Sequence, residues 1–566
     1  SQFNSLTDPA STYWRAAMDH FEDSEGDELA LRGDVQYDFD TDGFFKSIRA
    51  GYRFAERDQL TKWSNYNWGN LSEAWAGGEV DFSEVSGNTE SFTFDNFRRG
   101  DVLQGNNEFL FISTDLLRDY RSFVDFTQGN SNFPGAQNHL RGFGGRDASG
   151  NLIFVEGDDR FTPAEITDAI ETTHAIYARV DFGDDSVASL GGISIDGNYG
   201  VRIVETKLET TGAAQFQPNG VCSQANNRFT PEAAEACAVL QQPSTEVTAE
   251  VDRTDILPSF NVKFGLTDNL ILRLAAARGL SRPSVGQLRA FRNTAGEFNV
   301  QSPPPGTDPA TFSPLVSFNR YTVSGGNPGL EPTLSNNLDA SLEYYFNDVG
   351  SFTASAFYKD IENIIIVADA PGSSIGGPVI AGASYNGPQN GGDGKVKGFE
   401  LAYQQFYDFL PGIFSGLGLQ ANYTYVDQSS IPNSAADINR ASGQQDFADA
   451  FVPDDLENLS EHTFNIVGLY ESDKVEARIA YNWRSDFLLT TLDVISRLPI
   501  YNESTGQVDA SFKYQFTDNF QLGVQGVNLL SEVTETTSQI NPEGDRFLRS
   551  RFENDRRVSI VGSFTF

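Results

Sequence analysis

Three of the five tryptophans, Trp63, Trp68 and Trp75, crowd into one short stretch with Tyr66 between them. Flat amphipathic rings of this kind stack on the apolar faces of sugars, or else pack together as a small local core. The core reading is favoured, with ligand contact by at least one ring as the alternative. A second group, Arg289, Arg292, Asn319, Arg320 and Tyr321, offers guanidinium and amide donors that grip carboxylates or hydroxyls. The chain carries 78 Asp and Glu against 40 Lys and Arg, so pairing with its own acids is the preferred reading for these arginines.

Other constellations carry less. The two cysteines, Cys222 and Cys237, sit close together in a polar stretch, which suits a disulfide closing one loop in an oxidising compartment. Two free thiols are the alternative, and no histidine lies near enough to either for a metal site. His20, His139, His174 and His462 are scattered without triad or ligand spacing. Asp38-Phe-Asp40-Thr-Asp42-Gly43 imitates the start of a calcium loop, but Arg49 stands where a bidentate glutamate is required. Asp19, Glu22, Asp23, Glu25, Asp27 and Glu28 read as a solvated acidic face before they read as a calcium site. Gly142 to Gly145 has no strand-to-helix context for phosphate. No catalytic, metal or cofactor site is expected.

What must position these groups is written in period two. Val558, Ile560, Gly562, Phe564 and Phe566 fall on one face of an extended strand, and Ser559, Ser563 and Thr565 on the other. The pattern recurs along the chain. It predicts about fifteen strands, near 27–39, 44–58, 172–183, 188–208, 246–265, 269–282, 334–346, 351–366, 395–409, 415–428, 459–471, 474–488, 505–516, 519–529 and 557–566. Tight turns rich in Asp, Asn and Gly alternate with long links, at about 59–171, 209–245, 283–333, 367–394, 429–458, 489–504 and 530–556. Short turns at one end and long loops at the other are the signature of an antiparallel transmembrane β-barrel, all-β in class. Mean hydropathy is only −0.36. A barrel tolerates that, because only every second residue meets lipid.

In 508–516, Val508, Ala510, Phe512, Tyr514 and Phe516 oppose Asp509, Ser511, Lys513 and Gln515. The charged face must line the lumen, since a midplane Lys or Arg toward lipid costs about 2–4 kcal/mol. His174 and His462 are expected at strand mouths in polar lumenal roles. Within the long links, 113–126 and 162–172 look helical. Thr162 and Thr230 each precede a proline and read as helix N-caps. A net charge of −38 argues against nucleic acid as a partner.

Several stretches together resemble the TonB-dependent receptors of Gram-negative outer membranes. They are Ala277-Arg-Gly-Leu-Ser-Arg-Pro-Ser284, Gly325-Gly-Asn-Pro-Gly-Leu-Glu-Pro332, Asn337-Leu-Asp-Ala-Ser-Leu-Glu-Tyr-Tyr-Phe346, Val396-Lys-Gly-Phe-Glu400, Gly526-Val-Asn-Leu-Leu530 and the Phe-ended last strand. The segment from Asp27 to Arg57 looks like the branch found in Xanthomonas- and Caulobacter-type bacteria, often associated with carbohydrate uptake. The resemblance implies a 22-stranded barrel, a plug domain with a TonB box, and energy from a TonB–ExbB–ExbD complex. An odd strand count then predicts that residues 1–566 are the C-terminal part of the barrel, with plug and first strands on an N-terminal portion that is a further partner. The chain begins at Ser1 without Met or signal peptide, as a processed or truncated product would. The expected role is active uptake of a scarce nutrient across the outer membrane. An oligosaccharide is the leading ligand and an iron–siderophore chelate the runner-up. A surface-binding protein without transport is the alternative of another class.

Overall fold

The computed structural model describes residues 7–40, 43–64, 66–72, 80–85, 87–95, 107–128, 130, 132–133, 142–184, 193–307, 312–347, 349–371, 383–433, 451–493 and 496–565. Trp75 and His139 lie outside them, as does the side chain of Trp68.

Fifteen strands build the wall: β1 (Glu25–Asp38), β2 (Phe45–Lys62), β3 (Ile166–Asp184), β4 (Ser194–Phe216), β5 (Thr245–Thr267), β6 (Leu270–Ser281), β7 (Thr333–Tyr345), β8 (Ser351–Pro371), β9 (Ser384–Phe406), β10 (Leu417–Ser429), β11 (His462–Glu471), β12 (Val475–Arg484), β13 (Thr505–Thr517), β14 (Phe520–Val527) and β15 (Arg557–Phe564). Each pairs antiparallel with the next, from the β1–β2 ladder to the β14–β15 ladder.

One face of this sheet is apolar and exposed. It carries Leu31, Val35 and Tyr37 of β1, Ile176 of β3, Ile256 and Phe260 of β5, Ile479 of β12, Phe512 and Phe516 of β13, and Ile560 of β15. Two rows of aromatic rings edge it. Near the short turns, Phe182 stacks on Phe44 and Phe260, Phe346 on Tyr403, and Tyr514 meets Phe516. Toward the long loops lie Phe54, Phe399, Tyr423, Tyr425, Phe464 and Trp483. These are the girdles of a transmembrane barrel, and the apolar band between them faces lipid. On β3 the rows stand at His174 and Phe182, a rise of about 26 Å at ~3.3 Å per residue, which matches the ~25 Å band.

The opposite face holds ion pairs such as Lys513–Glu476 at 2.8 Å and Arg273–Glu343 at 2.7 Å, as a wet lumen requires. His174 and His462 do not face it. His174 pairs directly with Phe54, and its Nδ1 hydrogen-bonds the Tyr52 hydroxyl at 2.7 Å. His462 does the same with Tyr423 at 2.9 Å. Both histidines belong to the outer aromatic girdle. An imidazole suits that interface because its partner satisfies the polar edge while the ring stays in the apolar row.

The strands outrun the membrane. β4, β5 and β9 are each 23 residues long, about 75 Å of chain and roughly three times the lipid band. The outer halves of β4, β5 and β9, with those of β2, β3 and β8, shorten the loops to 63–165, 217–244 and 372–383. The helix expected over 162–172 is overturned for the same reason. Only a 3-10 turn forms at Pro163–Glu165, with the Thr162–Glu165 capping box, and Ile166 already pairs with Lys62. The β-branched run Ile166-Thr, Ile170, Thr172-Thr prefers the ladder. The strand expected to end at 183 runs one residue further, since Gly183 pairs with Asp196 and Asp184 with Ile195.

Among the described residues no ladder joins β1 to β15, and every residue of β1 is exposed. The sheet closes on itself at the rim instead. The hairpin Arg292–Val300 with Leu315–Gly325, from the β6–β7 loop, runs parallel to Ala214–Phe216 on one side and to Ser384–Asn386 on the other. This joins the outer ends of β4 and β9 into a ring through β5, β6, β7 and β8.

Candidate functional site

The loop segments fold rather than trail. Residues 7–24 and the long β2–β3 loop share a core around Trp14, which is 1% exposed and packs on Phe82, Phe126 and Phe133. Two short helices, α1 (Thr114–Arg118) and α2 (Tyr120–Gln128), cover it with Leu116 and Val124. Asp19 is buried at the edge of that core. It accepts from the Tyr120 hydroxyl and the Gly142 N–H, both at 3.2 Å. Burial and the Asp19 charge raise the Tyr120 pKa, so the phenol stays a donor.

Trp63 and Tyr66 stand outside this core, 39% and 54% exposed. They meet at His20, whose ring stacks on Tyr66 at 4.4 Å and lies 4.9 Å from Trp63. The His20 Nδ1 is fixed by the Ser64 carbonyl at 2.8 Å. Trp68 pairs through its backbone with Met18. Sequence reasoning had singled out neither Trp14 nor His20 for these packing roles. Nothing in the spacing distinguishes Trp14 from the later tryptophans, because its partners come from distant parts of the chain.

The rim hairpin carries the second group. Arg320 forks onto Glu297 at 2.8 and 3.1 Å, and the Asn319 amide donates to the same carboxylate at 3.2 Å. Tyr321 packs on Phe318 at 4.6 Å, and burial raises its pKa. Arg289 donates to the Gly286 carbonyl at 3.2 Å and lies over Phe291. Arg292 is 5% exposed at the parallel seam with β4. No contact among the described residues joins this group to the Trp63 cluster.

The Gly325–Pro332 stretch is the stitch that holds the rim. Tyr385 of β9 donates to the carbonyls of Gly325 and Gly326, each at 3.1 Å, and Asn327 donates to Pro388 at 3.0 Å. A Cβ at Gly325 or Gly326 would collide with the carbonyls of Phe291 and Arg289. Burial pushes the Tyr385 phenol up to about 12, which keeps it a donor at any working pH. Cys222 and Cys237 are bonded, with Cα atoms 5.6 Å apart. The bridge ties a 3-10 turn to the helix α3 (Pro231–Leu240), whose N-cap is Thr230.

The lumen mouth holds a cavity of about 750 Å³ at the outer ends of β11, β12 and β13. Its lining mixes five amides, Asn465, Asn482, Gln507, Asn528 and Asn554, with the charged Arg484, Glu532, Asp555 and Arg557 and the rings of Phe464 and Trp483. Asn528 is structural, donating to Asn554 at 2.9 Å and accepting from the Glu532 N–H at 2.8 Å. Asn465 and Asn482 are directly opposed on the lumen face. The Asn465 Oδ1 is buried with no hydrogen-bond partner, and the Asn482 side chain makes none among the described residues. This pair was not singled out from sequence, because alternation marks a lumenal amide without saying which amides meet. Among the described residues no group of three or more His, Cys, Asp or Glu is placed to hold a metal ion.

The sequence pattern described as "TonB dependent receptor-like, beta-barrel" matches residues 1–529. The chain belongs to this family. TonB-dependent receptors are outer-membrane proteins that bind a ligand and draw on TonB for energy. Comparison with curated proteins gives no match. Similar solved structures include the ferric-catecholate import receptor Fiu of E. coli K12, in its closed form, at 13% identity. That match covers 96% of this chain and 55% of Fiu, with a TM-score of 0.49. The siderophore receptor PiuA of Acinetobacter baumannii is 15% identical, over 97% of this chain and 57% of its own, with a TM-score of 0.45. The ferric yersiniabactin uptake receptor FyuA of Yersinia pestis is 10% identical, over 97% and 54%, with a TM-score of 0.43. This receptor chain thus spans little more than half the length of these structures.

Proposed function

We propose that this TonB-dependent receptor captures an oligosaccharide at its lumen mouth and passes it down the polar lumen. The observation that carries the reading is the opposed pair Asn465 and Asn482 in a cavity lined by five amides. Neutral amides with free donors and acceptors suit hydroxyl groups, each of which both gives and takes a hydrogen bond. The exposed Trp63–His20–Tyr66 cluster supports the reading as a surface on which a sugar face can stack.

The transport step is assigned to a plug domain on an N-terminal portion of the receptor, moved by the TonB–ExbB–ExbD complex. On this reading the loops bind, the plug shifts and the ligand descends. The test is uptake of a fluorescently labelled oligosaccharide by cells that make the receptor. Uptake should vanish when TonB is deleted and fall at least tenfold with Asn482→Ala. Accumulation that is indifferent to TonB would refute active transport, and uptake of ferric siderophore in place of sugar would reassign the ligand.

A further inference from the structure

The turn between β9 and β10 differs in kind from its neighbours at the same end of the wall. Three of those reverse the chain through polar residues: Asp268-Asn269 between β5 and β6, Ser472-Asp473-Lys474 between β11 and β12, and Asp518-Asn519 between β13 and β14. Residues 407–416 read Tyr-Asp-Phe-Leu-Pro-Gly-Ile-Phe-Ser-Gly instead, with Asp408 as the one charge. Phe409, Ile413 and Phe414 stand 69%, 72% and 55% exposed. Ile413 thus matches Val35 and Ile560 of the lipid-facing band in exposure. Large apolar side chains gathered this way on a surface mark a contact with something other than water.

The backbone holds these side chains in a defined shape. The Tyr407 N–H donates to the Leu417 carbonyl at 2.7 Å, and the Leu410 N–H to the Tyr407 carbonyl at 2.9 Å. The 3-10 turn Gly412–Gly416 follows, with the Ser415 hydroxyl on the Gly412 carbonyl at 2.8 Å. Gly412 opens it at a φ of 62°, which suits glycine. The turn is continuous with the outer face of the wall. Phe399, Leu401 and Tyr403 alternate outward on β9, and Tyr403 belongs to the inner aromatic row through Phe346. Beyond Tyr403 the Tyr407 ring meets Phe409 edge-on at 6.0 Å. On the return strand Leu417 pairs with Tyr470 of β11, whose ring lies against Gly416.

We propose that the β9–β10 turn is a membrane anchor, with Phe409, Ile413 and Phe414 inserted among the phospholipid headgroups of the periplasmic leaflet. Short turns of such barrels lie on the periplasmic side. The lipid surface is chosen as the occupant because the row that leads into the turn already faces lipid. Apolar side chains at that level leave water for the boundary between headgroups and acyl chains, while the polar turn Ser472-Asp473-Lys474 beside them stays hydrated. The inference concerns the outer face alone and is independent of the ligand reading.

The experiment attaches a nitroxide to Ile413→Cys in the purified receptor, reconstituted in vesicles of phosphatidylethanolamine and phosphatidylglycerol. Electron paramagnetic resonance then reads collisions with oxygen, which concentrates in the bilayer, and with a water-soluble nickel chelate. Ile479→Cys in the lipid band and Asp518→Cys at a polar turn are the references. The Cys222–Cys237 bridge leaves no other thiol to react. Phe414→Cys takes the place of Ile413→Cys if that variant does not assemble. The anchor predicts that the label in the β9–β10 turn meets oxygen readily and the nickel chelate at least about threefold less often than the label at 518. Nickel collisions equal to those at 518 would put the turn in water and overturn the proposal. Protection from both reagents would mean that protein covers the turn, and would overturn it as well.

Discussion

Asn465 and Asn482 face each other across the β11–β12 ladder, and the buried Oδ1 of Asn465 has no hydrogen-bond partner among the described residues. An orphan acceptor of this kind costs about 1–3 kcal/mol. On the capture reading proposed above, a ligand hydroxyl entering beside Asn482 supplies the missing donor. Asn465→Leu should therefore leave the empty receptor as stable or about 1 kcal/mol more stable, while weakening oligosaccharide binding about tenfold. Thermal unfolding and calorimetric titration of the same preparation would show whether the two effects separate. Loss of stability without loss of binding would make Asn465 a structural residue.

The core around Trp14 is distinct from the wall, so it should fail separately. Trp14→Ala removes a fully buried ring and should cost the loop core about 3–5 kcal/mol. Limited proteolysis should then cut within 63–165 while the strands stay protected. Simultaneous loss of wall and loops would mean the two are one cooperative unit.

The Cys222–Cys237 bridge closes a 15-residue span, and a loop of that size gains about 3 kcal/mol from closure. Cys222→Ser/Cys237→Ser should raise proteolysis and hydrogen exchange in 217–244 and leave barrel assembly unchanged. Exchange rates identical to wild type would contradict the assignment of rigidity to this bridge.

A pH dependence should sit in the loops over β10 and β12. Burial raises the Asp455 carboxyl above its ordinary value of 3.8, with Asp454 adding repulsion. Gln428 donates to it at 3.1 Å, and the Tyr501 hydroxyl lies 3.5 Å away. Because the folded value is raised, the protonated form is the one the folded loops favour. That stabilisation is full below the ordinary value and is lost as pH rises through the raised one. Hydrogen exchange at 451–456 should slow as pH falls from neutral toward 4, after correction for the intrinsic rate. Asp455→Asn should be flat over the same range. A flat wild-type profile would contradict it.

The membrane band can be checked by charge. Ile479 lies on the apolar face and Arg478 beside it on the lumen face. Ile479→Arg should cost about 2–4 kcal/mol and impair assembly, whereas Arg478→Ile should assemble. Folding yield into lipid vesicles measures both.

The wall was legible because lipid imposes period two on every strand it touches. All fifteen strands of Glu25–Asp38 to Arg557–Phe564 appear where alternation placed them. Legibility ends where lipid ends. Ser384 to Gly394 read as loop, because outside the membrane this part of β9 is polar residues and glycine broken only by Tyr385 and Pro388, and the alternation disappears. The same loss hid the strand that begins at Ile166. His174 and His462 were placed on the wrong face because residue polarity was read in place of register. At the mouth, sequence could not set Asn465 opposite Asn482, since that pairing depends on the register of β11 against β12. Arg320 was expected to pair with an acid, and that acid is Glu297; Arg289 instead meets the Gly286 carbonyl and the Phe291 ring.

The most direct measurement is equilibrium binding to the receptor purified from outer membranes, with neutral oligosaccharides and ferric siderophores titrated in parallel, and Asn482→Ala alongside. The account predicts that an oligosaccharide binds and that Asn482→Ala weakens it at least tenfold. Siderophore binding without sugar binding, or sugar affinity untouched by the substitution, would contradict it.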